Sequence, residues 1–329
     1  MGDSAANAGV AGGGTWDNTS TNWASAPLGT PTTAWSPGGN AQFQGTVGGS
    51  VNTGANLNVG AATFDPGAGA FTLTNTFDME INGAGLSNNS SNAQTIANNP
   101  GTMNFNLSSS ASAGTAAITY SNTGFMNFNG SSTAGNASIT NNGLLTFNAT
   151  SSYGTSSIVN NAAMDISGLT SSGIGASNGS SLTNNGSVEL GQGTGGVGKS
   201  LQVSTLTLDG GSEFDFTLGT TQSIVVADNI SDLASPSNRV TIDVEAGAGF
   251  GAPEYSLIFD FGGTVNLNDY ALGNVPAGYI LSTADAGHDL VLLSAVPEIS
   301  SFTFPLVGAA GLMVWLSRRR SQLFLMQNA

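Results

Sequence analysis

The acidic side chains carry the most concrete chemistry in this sequence. Glu213 and Asp215 alternate with Phe214 and Phe216, and Asp243 and Glu245 alternate with Ile242 and Val244. On a strand, residues i and i+2 share one face about 7 Å apart. That lies inside the ~5 to 10 Å range over which two carboxylates can work on a glycosidic bond. The same alternation also describes a solvated strand face above an apolar core, and that is the leading expectation. Asp209, Glu213 and Asp215 together offer oxygen ligands for calcium, but no EF-hand loop or Gly-Gly-x-Gly-x-Asp repeat accompanies them.

Other reactive side chains are few. Ahead of residue 296 the only cationic side chains are Lys199 and Arg239, both beside Gly- or Pro-containing loops, which is a thin supply of base for a polysaccharide lyase. The single histidine, His288, stands next to Asp289 and has no partners in sequence for a triad or a metal site. Gly193 to Ser200 has the glycine spacing of a phosphate loop, Gly198-Lys199-Ser200 included, but no helix-forming stretch accompanies it, so phosphate binding is not expected. No catalytic, cofactor-binding or metal residue is assigned on these grounds, and no cofactor is expected.

The elements that must position these groups are β-strands. Gly accounts for 47 of 329 residues and charged residues for only 8%, while hydrophobic residues still reach 39%. Such a chain is either disordered or a repetitive β structure, and the alternating apolar positions favour the second. Five related segments fall between residues 92 and 190. They begin at Ile96, Ile118, Ile139, Ile158 and Leu182, each with an Asn/Gly corner and then two apolar residues at i and i+2. A period near twenty without helical i, i+3, i+4 spacing predicts a coil of short stacked strands. Asn142, Asn161 and Asn185 are expected to stack at one corner, their amides bonded along the axis. Upstream, Phe77, Met79 and Ile81 are expected on one strand face. Downstream, longer strands are expected over 201–208, 214–218, 224–226, 240–244, 255–261 and 290–293, an arrangement that also fits a small β-sandwich.

Three of the four tryptophans, Trp16, Trp23 and Trp35, fall within residues 12 to 45. They either cap the exposed end of a solenoid or offer flat faces for sugar stacking; the cap is the favoured reading. Residues 1 to 296 carry a net charge of −17, which argues against nucleic acid as a partner. There is no cysteine, so no disulfide framework supports the fold.

Two stretches carry a family resemblance. The order Trp16, Asn22-Trp23, Trp35, Ala41-Gln-Phe43, with the Tyr-x-Leu-Ile and Gly-Tyr segments near Tyr255 and Tyr279, resembles autotransporter-associated β-strand repeat regions, which implies a parallel β-helix. At the other end, Pro297-Glu298, the uncharged stretch Phe302 to Leu316 and the cluster Arg318, Arg319 and Arg320 resemble the PEP-CTERM sorting signal. Ile299 replaces the second proline of that motif, and nine residues, Ser321 to Ala329, trail the arginines. The resemblance implies bacterial export, recognition by an exosortase-type membrane protease, anchoring in the inner membrane through a C-terminal transmembrane helix, and release to the cell surface or the exopolysaccharide matrix. Residues 299 to 317 are long enough for such a span, and the arginines would hold its end in the cytoplasm. Met1 onward lacks a basic n-region and an apolar h-region, so an export signal is expected upstream of the given start.

The expectation is therefore an all-β, right-handed parallel β-helix. Residues 1-45 form a Trp-rich cap, 46-190 the solenoid repeats, 191-200 a Gly-rich joint, 201-295 a β-rich closing region, and 296-329 the sorting signal. The expected role is that of an exported structural protein, adhesive toward exopolysaccharide, with a carbohydrate-active β-helix enzyme (lyase or hydrolase) as the alternative.

Overall fold

A computed structural model describes residues 4–6, 13–24, 32–106, 110–113, 118–170, 173–174, 179–191, 198–260 and 262–295. The sorting-signal residues Pro297, Glu298, Arg318, Arg319 and Arg320, and the stretch between them where a helix is expected, lie outside the described residues. Among the described residues no helix is long and apolar enough to cross a membrane.

The chain winds as a β-solenoid whose turns each contribute one strand to each of two 14-stranded sheets. Sheet A holds, among others, Asp78–Asn88, Thr102–Phe105, Phe125–Phe128, Leu144–Phe147, Ala163–Asp165, Ser187–Glu189, Glu213–Leu218 and Val240–Ala246. Sheet B holds Gly49–Thr53, Phe71–Asn75, Gln94–Asn98, Ile118–Asn122, Ser138–Asn141, Ser157–Asn160, Ser181–Asn184 and Ser200–Leu208, among others. Neighbours in these runs are parallel and in register. Parallel stacking puts like residues over like. Met103, Met126, Leu145, Met164 and Val188 form one buried column. Beside it Phe105, Phe128 and Phe147 stack face to face, with ring centroids 4.6 and 5.0 Å apart.

A buried file of asparagines fixes the register of sheet B. Asn75, Asn98, Asn122, Asn141, Asn160 and Asn184 are fully enclosed. Each of the first five donates its side-chain amide to the next side-chain oxygen at 2.8 or 2.9 Å. The second amide proton reaches backbone carbonyls of the following strand, for example Asn122 to Leu144 at 3.0 Å. The predicted outer file also forms, from Asn185 through Asn161 to Asn142 at 2.8 and 2.9 Å.

Two sequence expectations shift. Tyr120, not Ile118, stacks between Ile96 and Ile139. The ladder asparagine decides this, because Tyr120 stands two residues before Asn122 as Ile96 does before Asn98. Phe77 does not share the face of Met79 and Ile81; it precedes the strand and is exposed.

The parallel ladders also run past residue 200, through Val240–Ala246 to Tyr270–Leu272 in sheet A and Glu254–Asp260 in sheet B. Residues 201 to 272 therefore extend the solenoid, and no separate sandwich forms. At this end direction reverses at Asp289–Ser294, which pairs antiparallel with Glu254–Asp260 and with Tyr279–Ala284. Phe250, Tyr255 and Tyr279 cluster there, and the Tyr279 hydroxyl donates to the Ala252 carbonyl at 3.0 Å. At the opposite end Trp16, Trp23 and Trp35 lie buried with centroids 5.0 to 5.1 Å apart, against Phe43. The indoles close the core, as a cap must, and present no face for a sugar.

Candidate functional site

The acidic residues singled out in the sequence are brought together on the outer face of sheet A. Alternation sends Met164, Val188, Phe214 and Ile242 into the core and turns their neighbours outward. In-register pairing then aligns Asp165 with Glu189, Glu189 with Asp215, and Asp215 with Asp243. Four carboxylates thus form one column at the ~4.8 Å strand spacing. Glu213 and Glu245 flank it, across from Thr241 and Thr217. Glu189, Asp215, Asp243 and Glu245, with Asn274 and Pro276 among others, line a cavity of about 570 Å³, and Glu213 is not part of its lining. Asp165 and Glu189 were missed as site residues from sequence; the signal was the Met164-Asp-Ile166 and Val188-Glu-Leu190 alternation in successive repeats.

Like charges at this spacing cannot all ionise freely. A hydrogen bond with Asp243, then loss of solvent, then the charges of Asp215 and Asp243 push Glu213 up to about 7. Burial, followed by repulsion from Asp215, Asp165 and Glu245, raises Glu189. Burial and the Asp243 charge raise Asp215. The Asn274 backbone N–H donates to Asp243 Oδ1. Glu213 hydrogen-bonds Asp243 and keeps its proton up to near neutral pH. That contact places the pair too close to flank a glycosidic oxygen with a water between them. One carboxylate oxygen from each of Glu213, Asp215 and Asp243 lies within 4.8 Å of the others, a spacing that a single cation could bridge. Asp209 is not part of this group.

Comparison with protein-family models, with curated proteins and with solved structures finds no match to this chain.

The remaining candidates lie apart. Lys199 is buried, its ammonium donates to the Leu169 carbonyl, and burial pushes its pKa down. Arg239 is exposed at the corner before Val240. His288 follows a short 3-10 turn, Asp285–Gly287, and its backbone N–H donates to the Asp285 carbonyl at 3.1 Å. None of the three lines the acidic cavity.

Proposed function

We propose that this chain is an exported bacterial structural protein of the cell surface or exopolysaccharide matrix, built as a right-handed solenoid and sorted by its PEP-CTERM-like tail. The observation that carries the reading is the continuous core. Stacked apolar side chains run without a break from the Trp16 cluster to the Tyr255 and Tyr279 cluster, and the buried amide file from Asn75 to Asn184 reinforces the middle turns. A rod of this kind has a defined length and a hydrophilic exterior, which suits a scaffold embedded in polysaccharide. In this reading an exosortase-type protease acts near Pro297 and Glu298, after the helix and Arg318 to Arg320 have held the chain in the inner membrane. Mass spectrometry of the mature protein from an exosortase-bearing host tests it. A chain cut close to Pro297 and recovered outside the cell is expected. A cytoplasmic chain still ending at Ala329 would overturn it.

The carboxylate cluster favours a second reading, a polysaccharide hydrolase using Glu213 as general acid, because its raised pKa leaves it a proton to give near neutral pH. Reducing-end assays across a polysaccharide panel separate the two. Turnover lost in Glu213→Gln would replace the structural role with an enzymatic one.

A further inference from the structure

Sheet B presents an outer surface of different chemistry. Every strand from Gly49–Thr53 to Ser200–Leu208 in the in-register run gives a hydroxyl to one outward column. It begins Ser50, Thr72, Thr95 and Thr119 and ends Ser181 and Thr205. Two residues along, a second outward column includes Thr74, Ser121, Thr140 and Thr207. The residues between the columns, such as Leu73, Ile96 and Ile139, are buried in the core. The hydroxyls are half-buried or exposed, so their roots are held by packing while their oxygens face solvent. Neighbours in the column also steady one another, as where Ser181 Oγ donates to Ser157 Oγ at 2.9 Å.

Three properties limit what this face fits. First, among the described residues those eight strands contain no Asp, Glu, Lys or Arg, although the outer face of sheet A carries the carboxylate column. A charged macromolecule finds no counter-charge here. Second, none of the outward residues in the two columns is aromatic, so a sugar ring finds nothing to stack on. Third, the first column is unbroken, with hydroxyls ~4.8 Å apart along the axis, and the second, ~6.6 Å away along the strands, adds hydroxyls on five of the eight strands. Tetrahedral water with O–H···O distances of ~2.75 Å places next-nearest oxygens ~4.5 Å apart. The column spacing lies close to that repeat and is held over ~34 Å. Threonine methyl groups between the hydroxyls order water without competing for it.

We propose that the outer face of sheet B binds the surface of ice, its hydroxyl columns matching the oxygen rows of the lattice. The inference does not depend on how the tail is processed.

The full-length chain is tested by its partition into a slowly growing ice hemisphere and by thermal hysteresis, the gap between melting and freezing points. Thr119→Lys and Ser157→Lys place a charged chain in the middle of the array, and Thr102→Lys makes the same change on the outer face of sheet A. Thermal melts followed by circular dichroism establish that each variant is folded, and two array variants guard against one that is not. The wild type and T102K are expected to enter the ice and hold a hysteresis gap, while T119K and S157K are rejected like an ordinary solute. Rejection of the wild type, or equal loss in T102K, would overturn the proposal. Adsorption to microcrystalline cellulose without entry into ice would reassign the face to a glycan and overturn it equally.

Discussion

The buried asparagine file makes a quantitative prediction at Asn122. Its amide donates to Asn141 Oδ1 at 2.8 Å and to the Leu144 carbonyl at 3.0 Å, and its oxygen accepts from Asn98 at 2.8 Å. Asn122→Ala deletes all three bonds. Asn98 keeps its donation to the Phe125 carbonyl, and Asn141 keeps an acceptor contact from the Gly143 N–H, but Leu144 loses this donor. At about 1 kcal/mol net per bond, with a further cost for polar groups left enclosed, the loss is about 3 to 5 kcal/mol. Asn161→Ala deletes two ladder bonds in the outer file. Because that file is solvated, water replaces them and the cost is about 0.5 kcal/mol. The contrast separates enclosure from ladder formation as the source of stability. Native-state hydrogen exchange suits a solenoid, where each turn contacts only its neighbours and opens locally. Amides of Ile118–Asn122 and Ser138–Asn141 should lose protection in N122A and stay near wild type in N161A. Equal losses in the two variants, or a cost below about 1 kcal/mol in N122A, would refute the reasoning.

Three further predictions concern other parts of the rod. Because Glu213 rises from 4.5 to about 7 on folding, the folded state holds more protons than the unfolded chain across that window. Stability should therefore be greatest below about pH 4.5, fall as pH rises toward about 7, and level off above it; thermal melts from pH 4 to 8 check this, and Glu213→Gln should flatten the decline. Trp23→Ala opens the N-terminal cap, should cost about 3 to 5 kcal/mol, and should shift the tryptophan emission of the chain to the red as Trp16 and Trp35 meet water. Phe128 stacks between Phe105 and Phe147, so Phe128→Ala should cost about 3 to 5 kcal/mol and Phe128→Leu under about 1.5; urea denaturation would rank them.

Period and alternation were enough to foresee the stacked strands and the corner at Asn142, Asn161 and Asn185. They were not enough to set the register of one turn. The segment Ile118-Thr-Tyr120 offers two apolar residues at the right parity, and only the enclosed Asn122 chooses between them. That inner file escaped notice because Asn98, Asn141, Asn160 and Asn184 are each the first of an Asn-Asn pair, which looks like a solvated corner until neighbouring turns are laid over it. The acidic site was half legible: i, i+2 spacing gave Glu213 with Asp215 and Asp243 with Glu245. The column through Asp165 and Glu189 depends on which strands are adjacent, and adjacency across 24 to 28 residues is a property of the winding. The hydroxyl face was hidden for the same reason. Ser and Thr are common throughout this sequence, and only in-register parallel pairing turns them into rows.

The outward column of sheet A changes character along its length. From Glu80 through Asn104 and Asn127 to Thr146 its members hydrogen-bond one to the next, at 2.6, 2.7 and 2.7 Å. From Asp165 to Asp243 the same positions hold carboxylates. An electric field would therefore grip this rod by one end, turning it like a compass needle before it moved. In a polyanionic gel the less charged half would enter first, and mobile cations would gather behind it around the other.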